Sequence, residues 1–318
     1  MAPRRLSVRD FDPEVMRLFD RYVHGQIDRR AFIAGAARIA AGSAAAAALL
    51  DALNPRFAEA RQVEPDDARL VARRVEFPSP AGHGNAGGYL VRPAGAHAAL
   101  PLLLVVHENR GLNPHIEDVA RRLALEGYIA FAPDALHPLG GYPGGEDAAR
   151  TLFRELDPDK AFADFHAAVD WLLQQDGGNG RLGAIGFCYG GGIVNRLATL
   201  EPRLAAAVPF YGVAPPVADV AAIRAELLVV LAAEDERVNA TWPAYEAALR
   251  AAGVRYALFQ PHGTQHGFNN DTTPRYDATA AADAWRQATA LFARVLRAPA
   301  AERTPNAQPP SSGGRQNR

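Results

Sequence analysis

The residues best suited to covalent chemistry stand in one short stretch, Gly186-Phe187-Cys188-Tyr189-Gly190. Apolar residues lead into it and a helix-compatible run, 193–200, follows, so a strand, a tight turn and a helix are expected there. A nucleophile on such a turn leaves little room for neighbouring side chains, which explains a glycine two residues away on each side. A helix beginning just after Cys188 aims its positive end at the sulfur and favours thiolate. The backbone N–H of Tyr189 would then be one half of an oxyanion hole. Taken alone, the stretch also fits a buried cysteine acting as a small hydrophobe, with Gly190-Gly191-Gly192 as a loop.

Two later stretches supply partners. The apolar run 227–233 ends in Glu234-Asp235-Glu236, and Gln260-Pro261-His262-Gly263-Thr264-Gln265-His266-Gly267-Phe268 follows the last apolar stretch. Nucleophile, then Asp, then His is the chain order of an α/β-hydrolase triad. An imidazole within reach of a thiol moves its proton, and a carboxylate beyond it sets tautomer and orientation. Asp235 could instead be a helix N-cap or a solvated charge, and His262 competes with His266. His266 is preferred because Gly267 and Phe268 suggest a turn that buries the ring. Glu108 ends another buried run, where a carboxylate partly out of water is a better acceptor for a thiol proton; its plainer alternative is a surface pair with Arg110.

These residues need a frame that brings them together. Residues 73–77 and 86–91 read as short strands around a Pro/Gly turn at 78–84. Residues 100–106 are continuously apolar, the mark of a strand buried on both faces, and His107-Glu108-Asn109-Arg110-Gly111 follows them. Ile116, Val119, Ala120, Leu123 and Ala124 recur at helical spacing before Gly127. Residues 128–132 read as a strand stopped by Pro133, 137–145 as a surface loop or lid, and 161–175 as a helix. Strands at 204–210, 227–232 and 256–259 and helices at 242–252 and 277–296 complete the pattern. Alternating strands and helices predict an α/β fold with a mainly parallel sheet and helices on both faces. In such sheets function collects beyond the carboxyl ends of the strands, where every candidate residue falls.

The chain from about 73 to 296 resembles the dienelactone hydrolase family of α/β-hydrolases, on Gly186-Phe187-Cys188-Tyr189-Gly190-Gly191, on Asp235, and on His266-Gly267-Phe268. The resemblance implies an α/β-hydrolase fold and a Cys188-His266-Asp235 triad that hydrolyses esters or lactones through a thioester. It also implies a role for Glu108, at the family's glutamate after the first long core strand, in pairing with the thiol and helping to activate it. Asn109 would donate the second oxyanion N–H. The family's lactonases hold a substrate carboxylate with arginines, one of them four residues after the catalytic histidine. Here that position is Asn270, with Arg110 as a candidate substitute, so the hydrolase chemistry carries over better than the lactone substrate. The implied partner is a small-molecule ester or lactone, with no metal and no organic cofactor. The same elbow permits acyl transfer to an acceptor other than water. A reading of another class is a binding or redox-sensing protein, which would have no use for Asp235, His266 and Glu108.

Composition bounds the rest. With 318 residues and a formal charge of −1, the chain has the makings of one large domain plus extensions, and nothing points to nucleic acid. A single cysteine excludes an internal disulfide and a cysteine-cluster metal site. Residues 1–62 form an N-terminal extension in which Phe11, Val15, Leu18 and Tyr22 recur at helical spacing. There Arg29-Arg30 precedes an Ala-rich run at 35–53, with Ala58-Glu59-Ala60 downstream. Paired arginines, a weakly apolar segment and a small-x-small site resemble a twin-arginine export signal, which implies a periplasmic protein cut near Arg61. The alternative is a helical segment docked on the body through Phe32, Ile33, Ile39 and Leu49, in a cytoplasmic protein. Arg38 interrupts the run, which is too short for a stable membrane span. Residues 68–297 are then the hydrolase-like domain, and 298–318, rich in Pro, Ser, Gly, Asn and Gln, a disordered tail.

Overall fold

The computed structural model describes residues 6–40 and 42–297; the tail expected at 298–318 lies outside them. Strand β1 (Leu70–Ser79) pairs antiparallel with β2 (Gly84–Pro93), and β2 pairs antiparallel with β4 (Ile129–Asp134). From β4 onward the sheet is parallel, through β3 (Leu100–Val106), β5 (Gly178–Phe187), β6 (Leu204–Phe210), β7 (Glu226–Val230) and β8 (Tyr256–Phe259). Among the described residues this is an eight-stranded sheet in the order β1-β2-β4-β3-β5-β6-β7-β8.

Strand β3 shows why the sheet is covered on both faces. Side chains alternate across a strand, and each of its residues from Pro101 on is buried. Leu102, Leu104 and Val106 join the core formed with α7 (Pro158–Leu173) and α8 (Tyr189–Leu200), through Phe165, Leu172, Val194 and Leu197. Leu103 and Val105 face the opposite way, toward α5 (Pro114–Leu125) and α11 (Ala278–Leu296), where they meet Ile116, Leu123 and Phe292. Burying one such leucine contributes about 1.5–3 kcal/mol, so a strand apolar at every position is stable only between two helix layers.

Two regions add helices to the sequence reading. The loop expected at 137–145 contains a short turn at His137–Leu139 and leads into α6 (Glu146–Phe153). Its charged first turn masks the helical pattern, and its inward residues are Ala149 and Arg150. The N-terminal extension folds as α1 (Pro13–Val23), α2 (Arg29–Ile39), α3 (Ser43–Leu53) and the single turn α4 (Phe57–Ala60). Asp12 and Asp28 cap α1 and α2 by accepting from the Glu14 and Ala31 N–H groups. Phe11, Val15, Phe19, Tyr22, Phe32, Leu50 and Leu53 close a third apolar cluster. The Ala-rich run is thus two helices meeting at a bend of 114°. No single helix among the described residues is long and apolar enough to cross a membrane.

Candidate active site

The polar ends of successive parallel strands converge at one edge of the sheet. Cys188 joins β5 to α8 with φ +55° and ψ −111°, a conformation that non-glycine residues rarely adopt. Its amide donates to the Phe210 carbonyl at 3.0 Å, which pins the turn to the neighbouring strand. Space explains the flanking Gly190, where a Cβ would lie 2.3 Å from the Val106 carbonyl oxygen. The turn therefore packs directly on the end of β3, and Tyr189 begins α8 just beyond the sulfur.

His266 and Asp235 form a buried pair. Asp235 follows β7 and also caps α9 (Glu236–Asn239) through the Val238 N–H at 3.2 Å. Its Oδ2 lies 2.5 Å from His266 Nδ1, so the proton sits on that nitrogen and Nε2 is left for the site. Burial alone would raise the Cys188 thiol, but the His266 and His24 imidazoles outweigh it and bring it down to about 5. Burial opposes charge on His266, yet the sulfur and Asp235 lift it to about 9. Burial likewise raises Asp235, and its bond to His266 brings it below the usual carboxylate range. Thiolate and imidazolium are the charge states this geometry favours.

The second imidazole near the sulfur, His24, belongs to the N-terminal extension. It caps the carboxyl end of α1, and Gly25 beyond it turns the chain at φ +74°. His24 Nε2 lies 3.9 Å from Cys188 Sγ, 3.3 Å from His266 Nε2 and 3.0 Å from an Arg237 guanidinium nitrogen. His24, Cys188 and His266 could bridge a metal ion by spacing, but Arg237 already donates to the nitrogen that would ligate it.

Body side chains grip this tip. Asn109 Nδ2 and Arg110 donate to the Val23 carbonyl at 3.0 and 3.2 Å. Arg150 donates to the Tyr22 carbonyl at 3.0 Å and stacks 3.7 Å from the Tyr22 ring centroid. Arg154 reaches the Gly25 carbonyl at 3.3 Å. These are carbonyls at the negative end of α1 and its turn, where cationic partners are favoured. Arg29, the first of the paired arginines, has its Nε 3.4 Å from Asp147 on α6.

Glu108 accepts from Asn270 Nδ2 at 2.9 Å. Both its neighbour Asn109 and Arg110 are engaged with the tip, and Arg110 also hydrogen-bonds Asn109. The loop is set by His107, fully buried, whose Nδ1 donates to the Glu108 carbonyl at 2.6 Å while Nε2 accepts from Ala135 N–H. Between Glu108, Asn109, Arg110 and Asn270 on one side and Tyr22 and Val23 on the other remains a cavity of about 40 Å³. His262, the competing histidine, is exposed. Sequence reasoning missed His24 and Arg237, and also Tyr211, a buried ring at φ +38° whose centroid lies 4.9 Å from that of His266. A histidine just before glycine, between two capped helices, was the available signal for His24.

Comparison with known proteins agrees with this architecture. The family model described as the dienelactone hydrolase family matches residues 86–296, and one described as YqhI-like matches residues 2–41. A putative hydrolase fragment, YghX, of Escherichia coli K12 is 56% identical over 113 residues, covering 36% of this chain and 97% of that protein. A putative carboxymethylenebutenolidase of the same strain is 34% identical over 238 residues, covering 70% of this chain and 86% of that protein. The crystal structure of a putative dienelactone hydrolase from Klebsiella pneumoniae superposes with a TM-score of 0.61 at 32% identity, covering 70% of this chain and 99% of that one. The chain therefore belongs to the dienelactone hydrolase family and is a hydrolase of the α/β-hydrolase fold.

Proposed function

We propose that this hydrolase cleaves carboxylic ester or lactone bonds with Cys188 as nucleophile. The observation that carries the reading is a thiol on a strained elbow, beside a buried histidine whose far nitrogen is bonded to Asp235. The thiolate attacks the carbonyl carbon, and the developing oxyanion is held by the backbone N–H groups of Tyr189 and Asn109. His266 gives its Nε2 proton to the leaving alkoxide, and water then hydrolyses the thioester. Asp235 keeps the imidazole in one tautomer throughout. Glu108, bonded to Asn270, sits on the loop after β3, where it would serve only the fraction of Cys188 still present as thiol.

Substrate charge follows from the same groups. Asn270 carries no charge, and Arg110 is occupied by Val23 and Asn109. Neutral short-chain esters are therefore the expected substrates, processed without metal or organic cofactor. The direct test is Cys188→Ala on p-nitrophenyl acetate, with an expected loss of at least about a thousandfold in turnover. A variant that keeps most of its rate would remove Cys188 from the mechanism.

A further inference from the structure

The triad makes no use of His24. This residue lies in the segment matched by the YqhI-like model, outside the residues matched by the hydrolase family. Its Nδ1 is 2.8 Å from the Asp20 carbonyl oxygen and 3.3 Å from the Asp20 carboxylate, so Nδ1 carries the proton. Nε2 is left with a lone pair, and Arg237 donates to it at 3.0 Å, as a donor does to an acceptor nitrogen. Across the sulfur stands a related arrangement, with the Asp235 carboxylate itself on His266 Nδ1 at 2.5 Å. Two imidazoles, each with its Nδ1 fixed by an aspartate, thus converge on one thiol, with their Nε2 atoms 3.3 Å apart.

We propose that His24 is a catalytic residue, the general base for the water that hydrolyses the Cys188 acyl-enzyme. The inference rests on the thioester reading above and assigns the two histidines to different steps. Acylation leaves His266 neutral, because its Nε2 proton has gone to the alkoxide. The water oxygen then bonds to the thioester carbonyl carbon as one of its protons passes to His24 Nε2. The carbon–sulfur bond breaks, its electron pair returns to Sγ as thiolate, and the carboxylic acid leaves. The contact between the two Nε2 atoms lets the proton move from His24 to His266. That transfer restores neutral His24 and the thiolate–imidazolium pair. Burial weakens His24 as a base, while its contact with Asp20 strengthens it, and this contact persists when Cys188 carries the acyl group. The Arg237 guanidinium keeps the lone pair directed into the site until water takes its place.

The test separates formation of the acyl-enzyme from its decay. With p-nitrophenyl acetate above about pH 7, where His266 alone still favours the thiolate, His24→Gln should release about one equivalent of p-nitrophenol per Cys188, with a loss of burst rate several-fold smaller than the loss of steady turnover. Steady turnover should then be about a hundredfold slower, the usual weight of a general base. Acetylated Cys188 should accumulate, and imidazole added to His24→Ala should restore turnover in proportion to its concentration. Asp20→Asn, which keeps the ring at the site, should lower deacylation by a smaller factor and leave the burst intact. Deacylation within about twofold of the parent in both His24 variants would overturn the role, as would equal losses in burst and steady rate or failure of imidazole to rescue. A chain that never acetylates Cys188, parent included, would instead sink the thioester reading beneath it.

Discussion

At the residue scale, the Cys188 sulfur lies between two imidazoles that hold its charge, so its reactivity should not follow that of a free thiol. Burial pushes the thiol up, and His266 and His24 bring it down to about 5. The thiolate is therefore present above about pH 5 and is lost as pH falls through that value. His266, lifted to about 9 by the sulfur and Asp235 against burial, remains a proton donor until pH passes that point. Iodoacetamide labelling of Cys188 should already be near its plateau by pH 7. Ester acylation should fall on the acid side near pH 5 and on the alkaline side near pH 9. Labelling that rises only around pH 8.5, as for an unperturbed thiol, would show that the pair does not form.

At the scale of elements, most of this arrangement was readable. The apolar runs of β3, β5 and β7 and the turn residues that end them specify buried parallel strands, and function falls at their carboxyl ends. Cys188 and Asp235 were legible because each directly follows or closely trails such a strand, and His266 because Gly267 and Phe268 mark a turn after the last, half-buried strand β8. Helix α6 was not, since Arg150 is an inward residue whose worth lies in holding the Tyr22 carbonyl, a contact 128 residues away in sequence. The paired Arg29-Arg30 reads as an address in the sequence, and in the fold Arg29 starts α2 and lies beside Asp147. Phe32, one of the residues on which the docked-helix alternative rested, is fully buried in the N-terminal cluster, while Ile33, Ile39 and Leu49 pack at its margin. We propose accordingly that the mature protein keeps α1–α3, because removal would uncover that cluster and strip His24 from the site. N-terminal sequencing of the native protein should find a chain beginning before Asp20. A start near Arg61 would contradict retention and favour the processed export form.

At the scale of the whole molecule, the segment that the YqhI-like model matches and the hydrolase body meet at the Cys188 sulfur. The hydrolase body supplies Cys188, the His266–Asp235 pair and the arginines that grip the α1 end, and the N-terminal helices supply the tip that packs against them. The cavity left beside the tip, about 40 Å³, has room for little more than water. The central claim, that the family's chemistry runs here through a thioester on Cys188, has a direct measurement. Acid quenching of the intact protein during turnover of a p-nitrophenyl ester, followed by intact-mass analysis and peptide mapping, should show a single added acyl group located on Cys188. Turnover with no adduct, or with the acyl group on any other residue, would contradict it.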